Sequence, residues 1–326
     1  MTFVLQHGTS SRPASPPGAG RPGGRTACVP PARTTAGAVV LLIALLFAPS
    51  SSADSWGPPA TATYTSPKGK HALVVVPEKD WGNKRGHCLA TLFKVEGQKH
   101  TKVWSRNLIN NEAPVRVFVT DSGDYVVTMD EWGSVGKFPV VIYGRNGELI
   151  EVHSTDSLGL KEDISHIEIT MSSYWWNKDS VSFFDPAEEM FLIRLHWGKW
   201  VVLELVRGEL FTRNAPDFFS AELRKEHEKR WKKLDKHMQK ALPEQAAALL
   251  DANEPHQRKT GTMVCGQEQY RKMIPKLRTL LTDNAYYTQG GGAKVTKVFY
   301  VRKAAKEALE RMGEKVEGVV VEVPYP

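Results

Sequence analysis

Cysteine is scarce in this chain. Three occur in 326 residues, Cys28, Cys88 and Cys265, and none forms a C-x-x-C pair, which excludes the paired-thiol zinc motifs. A membrane-length apolar run is also missing. The run "AVVLLIALLFA", Ala38 to Ala48, has eleven residues, whereas a comfortable spanning helix needs roughly 20. The common catalytic signatures fail on particular residues. "HEKRW" opens like the zinc-protease H-E-x-x-H, but Trp231 stands where the second histidine must be, so two imidazoles cannot share one helix face. "GSVG" around Ser134 lacks the spacing of a nucleophile elbow, and its strand-to-strand context is wrong for one. "TQGGGAKVT" ends on Lys294 followed by Val295, so it lacks both the Mg²⁺-binding hydroxyl and the first glycine of a phosphate loop. His87 and Cys88 are neighbours, with His71 and His100 nearby, yet adjacent residues on a strand point to opposite faces and cannot hold one ion together. No cofactor and no metal is expected.

Acidic residues are absent from the first 53 positions, which carry Arg12, Arg21, Arg25 and Arg33. Basic residues followed by the apolar run and by "SSA" (Ser51 to Ala53) read as an export signal cleaved after Ala53. Loss of those four arginines takes the formal net charge from +7 to +3. A nucleic-acid partner therefore fits poorly, and the expected location is periplasmic or extracellular, with membrane anchoring if residues 38–48 are retained. The two cysteines that survive cleavage, Cys88 and Cys265, are candidates for one disulfide in an oxidising compartment.

From Thr61 to about Thr212 short β-branched and aromatic segments alternate with Gly, Asn, Asp and Pro, the pattern of strands and turns. They repeat. "SPKGKHALVVV" from Ser66, "TDSGDYVVTMD" from Thr120 and "DPAEEMFLIRL" from Asp185 each run a polar turn into a buried strand, 54 and 65 residues apart. A second strand then ends at Gly97, Gly147 and Gly208 respectively. The unit is a meander of about four strands, close to a propeller blade. The acids Asp121 and Asp124 become Pro67 and Lys70 in one copy and Pro186 and Glu189 in the other, so this cluster reads as a turn; only "DEW", Asp130 to Trp132, is left as a recognition edge.

"SPKGK" resembles the S-P-D-G-K turn of bacterial periplasmic β-propellers, and "TDSGDY" resembles a second copy. The third copy departs, with Glu188 in the glycine's place. Three units are too few for a ring of about 4 to 8 blades, so the expectation is an incomplete or open propeller-like array, or a ring completed by a partner or second copy. A two-sheet sandwich is the competing arrangement.

Beyond Phe211 the period changes. Leu223, His227, Trp231, Leu234, Met238 and Leu242 fall at three- and four-residue spacing, predicting an amphipathic helix with Pro216 near its start and Pro243 ending it or opening the next. Its polar face carries Lys225, Lys229, Lys232, Lys236 and Lys240, either a solvated face or a contact for an anionic surface. "MIPKLRTLLTD" and "VRKAAKEALERMG" resemble the two helices of a HEAT-like repeat, with Val301, Arg302, Ala305, Ala308, Leu309, Met312 and Gly313 on the pattern. The intervening "NAYYTQGGGAKVTKVFY" is an insertion with a glycine loop tip. "GVVVEV" then reads as a closing strand that pairs with "KVFY".

The expected organisation is an export segment (1–53), a propeller-like antiparallel β domain (54–212) and a helical domain with a HEAT-like hairpin and terminal strand (213–326). The expected role is a non-enzymatic interaction or scaffold protein of the cell envelope, binding a protein or glycan through loops of the β domain. Trp132, Trp175, Trp176, Asn177 and Asp179 are the candidate ligand residues, since indoles in an irregular connection suit a sugar or peptide. Two alternatives compete. One is a carbohydrate-active hydrolase using Asp130, Glu131 and Asp179; the other is an anionic-surface module using the lysine-rich helix.

Overall fold

A computed structural model describes residues 56–78, 86–291 and 294–325. The expected export segment, residues 1–53, lies outside the described residues, as do positions 292 and 293 of the glycine loop tip.

Two four-stranded meanders come first. Strands β1 (Ala62–Thr65), β2 (His71–Val76), β3 (Leu89–Glu96) and β4 (Lys99–Asn107) pair in chain order, and so do β5 (Pro114–Val119), β6 (Val126–Glu131), β7 (Val140–Tyr143) and β8 (Leu149–His153). A 3-10 turn (Lys161–His166) and a short ribbon, β9 (Glu168–Ile169) with β10 (Tyr174–Trp175), lead to a third meander, β11 (Val181–Phe184), β12 (Met190–Arg194) and β13 (Trp200–Glu204). A bridge from Leu203 to Leu210 is what represents a fourth strand there.

The sheets stack face to face. Leu73, Leu92 and Trp104 of the first sheet share a core with Val117, Val126 and Tyr143 of the second. Alternation then sends Val127, Met129 and Ile142 to the opposite face, against Phe191, Ile193 and Leu203 of the third. Every position of β6 is buried because both of its faces are covered, Thr128, Asp130 and Glu131 included. The arrangement is an open, propeller-like stack of antiparallel meanders.

One turn recurs in all three units. The amides of Ser66, Thr120 and Asp185 donate to the carbonyls of His71, Tyr125 and Met190, and the amides of Gly69, Gly123 and Glu188 donate back to the residues that open each turn. Side-chain oxygens of Ser66, Thr120 and Asp185 each accept the amide five residues on, at 3.1, 3.0 and 2.8 Å. Glu188 holds φ +56°, beside +69° at Gly69 and +76° at Gly123, so the third copy keeps the left-handed bend without the glycine. His71 is buried under the second turn, its Nδ1 3.1 Å from the Asp121 carbonyl, whereas His87 and His100 are exposed.

The helical region follows. Helix α1 (Ala221–Leu250) begins at Ser220, whose hydroxyl accepts the Leu223 amide, and runs through Pro243 without a break. The expected division at Pro243 is thus corrected: α1 is one 30-residue helix. Its buried positions Leu234, Met238 and Leu242 pack with Phe183, Leu192 and Val202, so the far face of the third sheet shares a core with the helices. Helix α2 (Pro255–Gln267) was not expected, because its "PHQRKTGTMVCGQ" has little apolar periodicity. Next come α3 (Ile274–Thr279), flanked by 3-10 turns Arg271–Met273 and Leu280–Thr282, and α4 (Tyr300–Arg311). Helix α4 packs mainly on α2, where a Cβ at Gly266 would meet the Ala308 Cα and Cβ at 2.8 Å. Small residues on both sides allow that approach. Gly313 follows α4 at φ +81° as the expected cap. The insertion forms β14 (Tyr287–Gly291) and β15 (Lys294–Val298), and β16 (Glu322–Pro324) pairs with β15 through Val298 and Glu322, as the sequence suggests.

Cys88 and Cys265 are free. Cys88 lies in the core between the first two sheets and Cys265 in the helical core, so the possible disulfide is not formed. Among the described residues no helix is long and apolar enough to cross a membrane.

Candidate functional site

Asp130 organises the segment that carries the candidate tryptophans. It sits at φ +62°, a conformation that Asp tolerates better than most residues, and is fully buried. Its carboxylate accepts from the Gly136 amide (2.8 Å), the Trp176 indole N–H (2.9 Å) and the Asn177 side-chain amide (2.6 Å). Burial pushes the carboxyl up to about 7, opposed by those three hydrogen bonds and by the nearby Arg116. Burial lowers the Arg116 guanidinium to about 10.

Glu131 turns the other way. It accepts the amides of Asn111 (3.1 Å) and Glu112 (2.7 Å), holding the β4–β5 connection, and Lys137 lies 3.8 Å away. Burial raises this carboxyl too. Asp130 and Glu131 are therefore two separate structural acceptors under the surface. With Asp179 paired to Lys259, the three carboxylates considered for a hydrolase do not converge.

The tryptophans divide. Trp176 is fully buried and Asn177 nearly so, which removes both from any open platform and corrects the expectation that they line one. Adjacent residues point oppositely, and here Asp130 captures the inward indole. Trp132 and Trp175 are half-buried and converge on Trp56: the Trp56 and Trp175 rings stack at 5.8 Å and 8°, and Trp132 meets Trp56 edge-on at 5.0 Å. Trp132 also donates its indole N–H to the Gly57 carbonyl at 2.8 Å. The chain's own Trp56 thus fills the space between the two.

Beyond Trp175 a cleft of about 280 Å³ opens between the β9–β10 ribbon and α2. His166, Glu168, Trp175, Lys178 and Asp179 line one side, His196 of the β12–β13 turn lies at the base of the third sheet, and Lys259 and Met263 come from α2. Charges cancel within it. Lys178 pairs with Glu168, and Lys259 pairs with Asp179 at 2.6 Å, where Thr260 also donates at 3.3 Å. Arg194 fixes the α2 wall through Glu268 and Gln267, and Gln267 donates to the His196 carbonyl at 2.5 Å.

Burial lowers the His196 imidazole below its ordinary value, against the opposing field of Asp179. Its Nδ1 is buried and lacks a hydrogen-bond partner. His166 stacks on Trp197 at 5.4 Å, and His196 meets the same ring edge-on at 4.8 Å. The cleft thus offers an indole, two imidazoles and two internally neutralised ion pairs on walls held by sheet and helix.

Of the sequence candidates, Trp175 and Asp179 reach the cleft, and Trp132 packs on Trp56 instead. His166, Glu168, Lys178, His196, Lys259 and Met263 were not singled out. Lys259 lies 80 residues from Asp179 on a helix whose pattern is faint, so only the folded chain joins them. The five lysines of α1 are elsewhere: Lys225, Lys229, Lys232, Lys236 and Lys240 are all exposed.

No protein-family description and no curated protein matches the chain. Among solved structures it is similar to a periplasmic gluconolactonase of Pseudomonas aeruginosa, at 11% identity over 46% of this chain and 41% of that one, with a TM-score of 0.30. It is also similar to the C-terminal WD40 domain of Sif2, at 10% identity over 43% of this chain and 32% of that one, with a TM-score of 0.23. This chain spans less than half the length of either structure. With scores this low, the architecture rests on the strands and turns themselves.

Proposed function

We propose that this protein is a non-enzymatic interaction module of the cell envelope whose β9–β10/α2 cleft holds a segment of a neutral glycan. The observation that carries this reading is the composition of the cleft: Trp175 beside two carboxylates and two lysines that neutralise one another. A sugar ring stacks its C–H face on an indole, and its hydroxyls both donate to carboxylates and accept from ammonium groups. A strongly charged ligand would have to break one of the ion pairs. A neutral, hydroxyl-rich ligand need only share them. Export is supported by the order of basic and apolar residues in the first 53 positions.

The test is a glycan array probed with the mature chain and with Trp175→Ala. Retention of neutral oligosaccharides, reduced about tenfold or more by loss of the indole, supports the reading. Retention of peptides alone would assign the cleft to a protein partner instead, and sugar turnover would return the enzyme reading.

A further inference from the structure

We propose that the lysine face of α1, with Phe218 at its N-terminal end, docks this protein on an anionic lipid bilayer. A helix places residues three and four apart on one side. In α1 that spacing buries Leu234, Met238 and Leu242 and sets Lys225, Lys229, Lys232, Lys236 and Lys240 along the opposite side, all exposed. From Ser220 to Lys240 the chain has eight basic and four acidic residues, a local net charge of +4. Lys232 pairs with Glu228 at 2.8 Å and Lys229 with Glu226 at 3.9 Å, in the open. Exposed pairs of this kind hold their charges weakly and yield to a surface of high negative charge.

Charge alone does not distinguish a bilayer from a soluble polyanion. The apolar residue at the N-terminal end of the helix does. Phe218 is 85% exposed, although its neighbour Phe219 turns inward to meet the His227 ring edge-on at 6.1 Å. A polyanion in solution gains nothing from this side chain. A bilayer accepts the phenyl ring at the headgroup boundary while its surface charge holds the lysines.

The experiment is co-sedimentation of the mature chain with phosphatidylcholine vesicles, pure or carrying about a third phosphatidylglycerol, the charge that a basic face needs. Binding is expected to the anionic vesicles only. The triple variant Lys225→Glu, Lys236→Glu, Lys240→Glu changes exposed positions alone, so the fold should persist by circular dichroism. Its partitioning should fall by about fivefold or more per lysine. Phe218→Ser should lower vesicle binding about tenfold while leaving retention on heparin unchanged. Equal binding to neutral and anionic vesicles, no binding to either, or a Phe218→Ser variant that binds anionic vesicles like the parent would overturn the proposal. The last result, with strong heparin retention, would assign the face to a soluble polyanion.

Discussion

Glu188 accepts the backbone amides of Asp121 and Ser122, so the turn of the third meander is bonded to the turn of the second. One step back Asp121 does the same, its carboxylate accepting the Lys68 amide at 2.8 Å. The acids that looked unshared among the three turns are thus the links between successive sheets. The third turn has no further meander beyond it and caps itself, Asp185 accepting the Glu189 and Met190 amides at 2.8 Å.

This link sets apart two substitutions at one position. Glu188→Ala removes both amide acceptors and keeps a side chain at φ +56°, so it should destabilise by about 1 to 2 kcal/mol. Glu188→Gly removes the same acceptors but relieves the left-handed bend, which recovers about 1 kcal/mol. Urea midpoints should therefore rank wild type first, glycine next and alanine last.

Asp130 gives a pH dependence of definite sign. Its carboxyl is raised in the fold from the usual 3.8 to about 7 by burial. The stability it contributes is fully present below about pH 4 and is lost as pH rises through about 7. Asp130→Asn mimics the protonated form and keeps the size, so it should flatten that part of the stability profile between pH 4 and 8. Denaturant midpoints of both proteins across that range measure it. Parallel profiles would contradict the assignment.

Packing of α4 on α2 leaves no room at Gly266. Adding a methyl there brings it within 2.8 Å of the Ala308 Cα and Cβ, both part of a rigid helix. Gly266→Ala should cost about 1 to 3 kcal/mol, read as a lower thermal midpoint with the helical circular dichroism signal retained before the transition.

Both described thiols are fully buried and pushed up to about 12 by burial, so neither is a thiolate at neutral pH. A Cys28→Ser chain should react with a thiol reagent at neither Cys88 nor Cys265 when folded, and at both in denaturant.

Much of this architecture could be read from the chain because it is local. The turns at Ser66, Thr120 and Asp185, the glycines at 97, 147 and 208 and the amphipathic stripe of α1 each need only neighbouring residues. What escaped was non-local. Helix α2 is held by contacts of Gly266 with Ala308 and of Lys259 with Asp179, which no periodicity announces. The inward turn of Trp176 was equally hidden, since adjacent indoles show that one must point in but not which, and Asp130 decides it from 46 residues away. Trp56 escaped notice too, lying outside the repeat it covers.

The cleft between the β9–β10 ribbon and α2 is tested most directly by blocking it from the helix side. Met263→Arg places a long charged side chain in that space while leaving Trp175 and the hydrogen-bonded Asp130–Trp176 pair unsubstituted. Calorimetric titration of the neutral oligosaccharide best retained on the array is expected to show affinity falling about tenfold or more in this variant, with an unchanged urea midpoint. Wild-type affinity in Met263→Arg, or no measurable binding of any neutral oligosaccharide to the parent chain, would contradict it.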